Sequence, residues 1–498
     1  MKNKLVFVNI SGVLLVTLIV KILGFFQSLT LANFFGVSGI SDAYLIAQTI
    51  PGTIFQFVGM GLSACFVPVY LTLKNKDIKK TKEFTNRFLT IVVLFSIITL
   101  VFVEIFANQL VWVFASGFRG ETFKYACEFT RISVFSIIVS AFNYSYISIL
   151  QAEEKQISAA GVLIPYNIIL IVSIVIAYHY SIYFLPIGNI VACIIEFVLL
   201  NRFVKKAGFF YRPSINFEDE YIKKVLLNMF PVMLGVAITD INTLVDKTVA
   251  SNVIAGGITM LTYSLSLFEM VNGIVTLPIT NVFYPRISKN VINRIENEIS
   301  ENVQKEIGLL IWLLLPVTFG VFLLGQEFVE ILFFRGEFTG ENVSMVANTL
   351  MMYGIGFIAY GLNKVFSQLF YALGDTKTPL KTNFLAVPIN IILNLLLSHL
   401  LGLKGLALAT TIASIFISIA LYIELKKKIH ISFGIIKVLT KCMIATIVMS
   451  IVILFVKRKI KDILLASVLG IILGGGVYLL MSYVLKIYNI FLVISKED

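Results

Sequence analysis

The chain consists of apolar stretches of about twenty residues separated by short polar loops. Twenty residues of α-helix extend about 30 Å, which is the thickness of the hydrocarbon core of a bilayer. Of the 498 residues, 58% are hydrophobic and 14% are charged, and the mean hydropathy is +0.93. A water-soluble fold could not bury so much apolar surface. We therefore predict an all-α polytopic membrane protein.

Counting the apolar stretches predicts fourteen transmembrane helices. They lie near residues 5–33, 43–73, 86–109, 129–150, 159–180, 183–204, 222–250, 258–286, 306–325, 345–371, 379–400, 404–425, 434–456 and 462–486. The polar segments between them are short, so no separate soluble domain is expected.

Two short matches predict that the chain is internally duplicated. The sequence IPYNIIL at Ile164–Leu170 returns as VPINIIL at Val387–Leu393. The sequence FVPVY at Phe66–Tyr70 returns as FYPRI at Phe283–Ile287, after nearly the same interval along the chain. Six helices in each copy is an even number, so the two copies should share one orientation and be related by an axis along the membrane normal.

The duplication defines the expected domains. These are an N-terminal six-helix lobe over residues 1–206, a cytoplasmic linker over 207–221, a C-terminal six-helix lobe over 222–428, and two additional helices over 429–498. Pro165 and Pro388 should then occupy equivalent positions in the fifth helix of each lobe. A substrate path is expected between the lobes.

Basic loops predict the orientation in the membrane, because cytoplasmic loops carry an excess of lysine and arginine. The basic residues that share one side are Lys74, Lys76, Lys79, Lys80, Lys82, Arg87, Arg202, Lys205, Lys206, Arg212, Lys223, Lys224, Lys426, Lys427 and Lys428. That side and both termini should therefore be cytoplasmic. One loop disagrees, since Lys457, Arg458, Lys459 and Lys461 would lie outside, and we interpret it as a late loop whose position the earlier helices determine.

The remaining composition argues against several other classes of site. The four cysteines are scattered and fit neither a disulfide framework nor a metal site, and the three histidines lie near helix ends. The net charge of +12 comes mostly from short loops, so it does not indicate nucleic-acid binding. The sequence contains no nucleotide-binding loop. No histidine-based metal or catalytic centre is expected.

Ionisable residues within the apolar stretches are the functional candidates, since they are costly in hydrocarbon unless they face a cavity or a partner. They are Lys21, Asp42, Asp240, Asp246, Lys247, Glu269 and Lys364. Lys21 could also reach the interface or pair with a carboxylate for packing alone. Glu196 and Glu424 lie near the predicted cytoplasmic ends of helices six and twelve, where they could pair with the basic residues that follow.

Several segments resemble the MurJ (MviN) family of lipid II flippases. They are KILGFFQSLTLANFFG (Lys21–Gly36), SDAYLIAQTIP (Ser41–Pro51), FVPVY, LVDKTVAS (Leu244–Ser251), FYPRIS and YALGDTKTPLK (Tyr371–Lys381). The family shares a superfamily with MATE exporters and Wzx-type polysaccharide flippases, and the resemblance covers nearly the whole chain. It implies a V-shaped two-lobe transporter in the bacterial cytoplasmic membrane. Such a transporter moves undecaprenyl-pyrophosphate-linked peptidoglycan precursor to the outer leaflet by alternating access, with the lipid tail along helices thirteen and fourteen.

The resemblance also implies a cationic cavity for the diphosphate. Its expected residues are Lys21, Gln27, Asp42, Ser266, Glu269 and Lys364. Asp42 should lie at the outer rim of this solvated cavity.

This chain departs from the family pattern at the arginines, whose planar guanidinium groups suit phosphate best. The pattern has arginine at the positions of Lys21, Gln27, Phe55 and Ser266, so one cation is kept as lysine and three are lost. The diphosphate clamp should be weaker, or built differently with Lys247 or Lys364.

A sodium site is a further implication, since some family members resemble sodium-binding proteins. The matching positions are Asp246, Asn390, Asn394 and Thr410, with the backbone carbonyl of Leu406. Oxygen ligands at one depth suit a hard cation, although Asn394 replaces an acidic ligand of the pattern. The alternative is a helix-end pair of Asp246 and Lys247 with ordinary amide bonds between helices. No other cofactor is expected.

Lipid II is the first-choice cargo, and the chain should act as a monomeric transporter rather than an enzyme. The alternative is a flippase for another lipid-linked oligosaccharide of a capsule, O-antigen or teichuronic-type glycan, which the lost arginines favour. A MATE-like cation-coupled exporter of small molecules is less favoured, because a soluble cargo needs no groove for a lipid tail. A glycosyltransferase would need catalytic carboxylates outside, and the longest such loop, residues 108–128, shows no catalytic pattern.

Overall fold

The computed structural model describes residues 2–216, 219–293, 295–429 and 435–487. Within these ranges the regular structure is helical, without β-strands. The chain packs as two compact units, Met1–Thr259 and Met260–Asp498. This confirms the all-α class.

The first unit contains ten α-helices and one π-helical segment in its described part. They are α1 (Lys2–Phe35), α2 (Gly39–Gly61), the π-helical segment Leu62–Phe66, α3 (Val67–Lys74), α4 (Ile78–Phe114), α5 (Gly120–Ser133), α6 (Ser136–Ala152), α7 (Gln156–Gly161), α8 (Leu163–His179), α9 (Phe184–Lys206) and α10 (Glu220–Val253). Side chains cap two of the starts: Asp77 accepts the first free backbone N–H groups of α4, and Asp219 does so for α10.

The second unit begins within the first turn of the next helix. Its helices are α11 (Gly257–Ile274), α12 (Thr276–Ile292), α13 (Glu296–Phe333), α14 (Gly340–Gly354), α15 (Phe357–Ala372), α16 (Lys377–Leu401), α17 (Leu403–Lys426), α18 (Ile435–Lys459) and α19 (Ile463–Val484). Thr339 and Asp462 cap the starts of α14 and α19.

Ten helices in the described part are long and apolar enough to cross a membrane, or twelve if each bent pair forms one span. The bent pairs are α5 with α6, at 49°, and α14 with α15, at 43°. The predicted total of fourteen would also need the segments Gly39–Lys74 and Glu220–Val253 to cross. That number and the V-shaped two-lobe arrangement stay predictions.

Helix boundaries repeat along the chain. The paired boundaries are the starts of α2 and α11 (Gly39 and Gly257), the ends of α6 and α15 (Ala152 and Ala372), and the ends of α9 and α17 (Lys206 and Lys426). The members of each pair are separated by nearly the same interval as the two sequence matches. The two bent pairs also fall at corresponding places in this order, which supports the internal duplication.

The two prolines of the longer match lie in corresponding helices. Pro165 is in α8 and Pro388 is in α16, fourteen and thirteen residues before the last residue of the helix. Each belongs to the fifth predicted span of its copy, as the duplication requires.

The predicted linker lies against α4 within the first unit. The Arg212 backbone N–H donates to Asn86 Oδ1 at 2.8 Å, and Arg87 Nη1 lies 2.8 Å from Asp219 Oδ2. The helix after the linker, α10, packs on α2 and α4, so the packing boundary falls after α10. The predicted lobes were defined by the sequence repeat and not by packing, so this boundary does not test them and they stay predictions.

The last two described helices pack on α13 in the second unit. Leu324 of α13 forms an apolar cluster with Met449 and Ile453 of α18 and with Tyr478 of α19. The Tyr478 hydroxyl also donates to the backbone carbonyl of Trp312 at 2.6 Å. This contact joins α19 to α13 by a polar bond inside an apolar surface.

Candidate substrate and ion sites

The predicted cavity residues belong to both units. In the first unit Lys21 is an exposed side chain on α1, and it forms no ion pair within the described residues. No described carboxylate therefore pairs with Lys21. Lys247 of α10, the alternative cation, instead donates to Thr49 Oγ1 of α2 at 2.6 Å.

Asp42 has a different environment from the one expected. Its side chain is 1% exposed, and Oδ1 accepts the Thr259 backbone N–H at 2.8 Å and the Thr259 hydroxyl at 2.6 Å. Thr259 lies in the first turn of α11, where backbone N–H groups lack helical partners. The prediction of a solvated rim position is therefore wrong in this structure. Asp42 caps a helix start and holds two segments of the first unit together.

Two of the positions where the family pattern has arginine, Gln27 and Phe55, contact neighbouring side chains in the first unit. Gln27 is hydrogen-bonded to the buried hydroxyl of Tyr44, which also accepts from Gln48 Nε2 at 2.7 Å. Phe55 is 2% exposed and stacks on Tyr144 with ring centroids 6.2 Å apart. These side chains are neutral, and neither replaces the lost charge.

The first unit contains a polar cavity of about 180 Å³ beside these residues. It is lined by Gln48, Pro51, Gly52, Phe55, Ser136, Ile137, Ser140, Tyr144, Tyr166, Asn189 and Cys193. The Tyr166 hydroxyl donates to Asn189 Oδ1 at 2.9 Å across α8 and α9. The cavity has room for several water molecules, but it is far too small for a disaccharide-peptide head group.

The second unit contains the other three predicted cavity residues. Glu269 of α11 and Lys364 of α15 are exposed, and Ser266 is partly buried. The Ser266 hydroxyl donates within its own helix to the Thr262 carbonyl at 2.8 Å. Ser266 therefore replaces an arginine with a side chain whose donor is already used.

Four of the five predicted sodium positions are adjacent in the second unit. Asn394 Nδ2 donates to Asn390 Oδ1 at 2.9 Å, and Asn390 Nδ2 lies 3.5 Å from Thr410 Oγ1. The Thr410 hydroxyl donates to the Leu406 carbonyl at 3.2 Å. Asp246, the fifth position, is on α10 in the first unit. The side chains of α16 and α17 thus form one hydrogen-bonded group of oxygens and amides.

The sequence analysis gave Glu196 and Glu424 the same interpretation, and the structure shows two different environments. Glu424 pairs with Lys427 at 2.6 Å, as one interpretation held. Glu196 is instead the thirteenth residue of the 23-residue α9 and is 7% exposed. The expected pairing with the basic residues that follow is not found, because Glu196 forms no ion pair with a described residue and lies ten residues before the end of α9.

A polar face on two helices could have identified Glu196 from the sequence. Asn189, Cys193 and Glu196 follow the i, i+4, i+7 spacing of one helix face. The facing helix α6 carries Ser136, Ser140 and Asn143 at the same spacing. A polar row on each of two otherwise apolar spans predicts that the two rows meet.

The family comparison accounts for nearly the whole chain. The family model described as "Lipid II flippase MurJ" matches residues 31–474. The chain belongs to the MurJ family. This confirms the resemblance carried by the sequence motifs.

Individual MurJ relatives match over most of their length. A protein of Rickettsia prowazekii named "Probable lipid II flippase MurJ" is 28% identical and covers 96% of this chain and 98% of its own length. A protein of the same name from Thermotoga maritima is 27% identical and covers 94% of each.

Solved structures agree on the fold. A lipid II flippase MurJ in an inward closed conformation matches with a TM-score of 0.85 at 24% identity, covering 96% of this chain and 99% of its own. An inward-facing multidrug resistance MATE transporter of the MOP superfamily matches with a TM-score of 0.70 at 12% identity, covering 82% of this chain and 94% of its own. The MurJ fold is therefore shared with MATE transporters, as the superfamily predicts.

Proposed function

We propose that this chain is a lipid II flippase, which moves the undecaprenyl-pyrophosphate-linked peptidoglycan precursor across the cytoplasmic membrane by alternating access. The observation that carries the proposal is the match to the MurJ family over residues 31–474, with relatives of that name covered almost completely. The chain is a multi-pass protein of the bacterial inner membrane. We further propose that both termini are cytoplasmic and that it acts as a monomer.

Lys21 is the proposed contact for the diphosphate. It is the one cation kept among the four arginine positions of the family pattern, and its side chain is exposed. An ammonium group on an apolar helix is stable only beside water or an anion. Lys364, exposed on α15, is the proposed second cation.

A different head group is the second candidate, and one observation favours it. Gln27, Phe55 and Ser266 are neutral, and their side chains are engaged in contacts of their own. Each missing charge-assisted hydrogen bond removes about 1.5–3 kcal/mol of possible head-group binding. A lipid-linked oligosaccharide whose head group needs fewer charged contacts would suit this set of residues.

Sodium coupling is proposed for the polar group of the second unit. The oxygens of Asn390, Asn394, Thr410 and Leu406 are adjacent, and the family resemblance assigns the negative charge to Asp246. Sodium-dependent transport that is lost in Asp246→Asn and kept in the charge-conserving Asp246→Glu would support this assignment. Transport independent of sodium in the unaltered protein would remove it.

Complementation tests the cargo. The gene should restore growth to bacteria depleted of their own lipid II flippase, with the membrane level of the protein measured in parallel. Failure at a normal membrane level, together with loss of a capsule or other surface glycan on deletion from the native host, would favour the second candidate.

A further inference from the structure

Glu196 is a buried carboxylate in the middle of a helix that is long enough to cross the membrane. It lies about 15 Å from the C-terminal end of α9, given a rise of about 1.5 Å per residue. The residue is 7% exposed and forms no ion pair with any described residue. An ionised carboxylate in such a place is unfavourable unless a proton neutralises it or a positive charge matches it.

Asn143 of α6 provides the second observation. Its Nδ2 donates to Glu196 Oε2 at 2.9 Å and to the Cys193 backbone carbonyl at 3.1 Å. The residue is 3% exposed, and its Oδ1 is buried without a hydrogen-bond donor among the described residues. A buried amide oxygen without a donor is uncommon and indicates a missing partner. The missing partner is a hydrogen-bond donor or a cation, since either can contact an amide oxygen.

The polar cavity of the first unit provides space for water or an ion near Glu196 and Asn143. Ser140 and Cys193 line it, and Asn143 and Glu196 each follow one of them by one helical turn. The bend between α5 and α6 immediately precedes Ser136, another lining residue. Glu196 and Asn143 are not themselves among the lining residues, but each lies one turn from one, so the cavity offers water and space beside them.

We propose that Glu196 and Asn143 bind a small monovalent cation beside this cavity, inside the first unit. One carboxylate balances one positive charge, whereas a divalent ion would leave a net charge in hydrocarbon. The carboxylate and amide oxygens are the ligand type that hard cations take. This site is separate from the sodium positions of the second unit, and it does not depend on the identity of the cargo.

Thermal stability of the purified full-length protein tests the proposal, because a ligand that binds the folded state raises the melting temperature in a saturable way. LiCl, NaCl and KCl would be titrated at constant ionic strength against N-methyl-D-glucamine chloride. At least one cation should stabilise the protein saturably. Glu196→Gln should raise the half-saturating concentration at least tenfold, and Asn143→Ser should raise it severalfold.

Matched variants separate this site from its alternatives. Glu424→Gln removes a carboxylate that is paired with Lys427 at a helix end, and it should leave the response unchanged. Asn390→Ala tests the sodium positions of the second unit. If both sites bind, the rise in melting temperature with cation has two independent components, and the double variant of Asn390→Ala and Glu196→Gln should lose both. If Glu196→Gln does not fold, Glu196→Asp and Asn143→Ser provide the same comparison. An unaltered cation response in these variants, or no cation response in the parent protein, would overturn the proposal.

Discussion

Glu154 and Gly374 have the same left-handed backbone conformation at corresponding places in the two copies, with φ of 58° and 75°. Each lies in the loop that follows a bent helix pair. The residue after Glu154 donates its backbone N–H to the Leu150 carbonyl at 2.8 Å, and Asp375 donates in the same way to Phe370 at 2.9 Å. The two loops thus share one backbone design, although one uses glutamate where the other uses glycine.

The first prediction concerns these two positions. No atom lies within 4 Å of a Cβ built on Gly374, so Gly374→Ala should cost only backbone strain, about 1 kcal/mol. Glu154→Gly should relieve the corresponding strain and leave the melting temperature unchanged or higher. Melting curves of the purified variants check both. A lower melting temperature in Glu154→Gly than in Gly374→Ala would contradict the shared design.

The second prediction concerns the basic loop that disagrees with the charge rule. Lys457 Nζ lies 2.5 Å from Glu327 Oε1 and donates to the Leu323 carbonyl at 2.6 Å, which joins the end of α18 to α13. Lys457→Ala should therefore destabilise the protein by on the order of 1 kcal/mol. Arg458→Ala is the matched control, since this exposed neighbour forms no ion pair with a described residue. Equal melting temperatures for the two variants would show that the pair is not stabilising.

The third prediction is a pH dependence outside the helices. Lys428 and Thr378 donate to Asp375, and these hydrogen bonds hold the pKa of the carboxyl well below its ordinary value of 3.8. Because the folded protein favours the ionised form, the stabilisation is complete above about pH 4 and is lost as the pH falls further. The difference in melting temperature between the parent protein and Asp375→Asn should be largest at neutral pH and narrow below pH 4. A constant difference from pH 7 to pH 3 would contradict this.

Much of the fold was predictable because hydrocarbon imposes simple rules on sequence. Apolar length identified the helices, and two short matches predicted a duplication that the helix boundaries support. The bends before Ser136 and Phe357 were not predicted, since no proline marks them. The equivalent loop positions of Glu154 and Gly374 were also not predicted. The two residues share a backbone conformation but not a residue type, so the sequence contains no match there.

The candidate sites were less predictable because polar residues have several uses in a membrane. Asp42 was expected to face water, but it binds Thr259 in a buried position. Glu196 received little attention because the basic residues that follow its helix offered it partners. The hydrogen bond from Asn143 to Glu196 is a tertiary contact, and only the structure provides it.

The fourth prediction concerns Asp42. Asp42→Ala leaves two buried donors of Thr259 without a partner, so it should destabilise the protein by about 1–3 kcal/mol. Thr259→Val removes only the hydroxyl and keeps the backbone bond, so its effect should be smaller, about 1 kcal/mol. Melting temperatures of the two variants and of their combination test this. Additive losses would show that the two side chains do not act together.

The last prediction concerns Lys21 and the cargo. If its exposed ammonium group contacts the diphosphate, Lys21→Ala should abolish transport while the protein remains in the membrane at a normal level. Lys21→Arg should retain activity, because a guanidinium group also binds phosphate and is the residue of the family pattern. Growth of flippase-depleted bacteria, with the membrane level of each variant measured, checks this. Lys364→Ala in the same assay identifies the next candidate, since full activity of Lys21→Ala combined with loss in Lys364→Ala would move the diphosphate contact to α15.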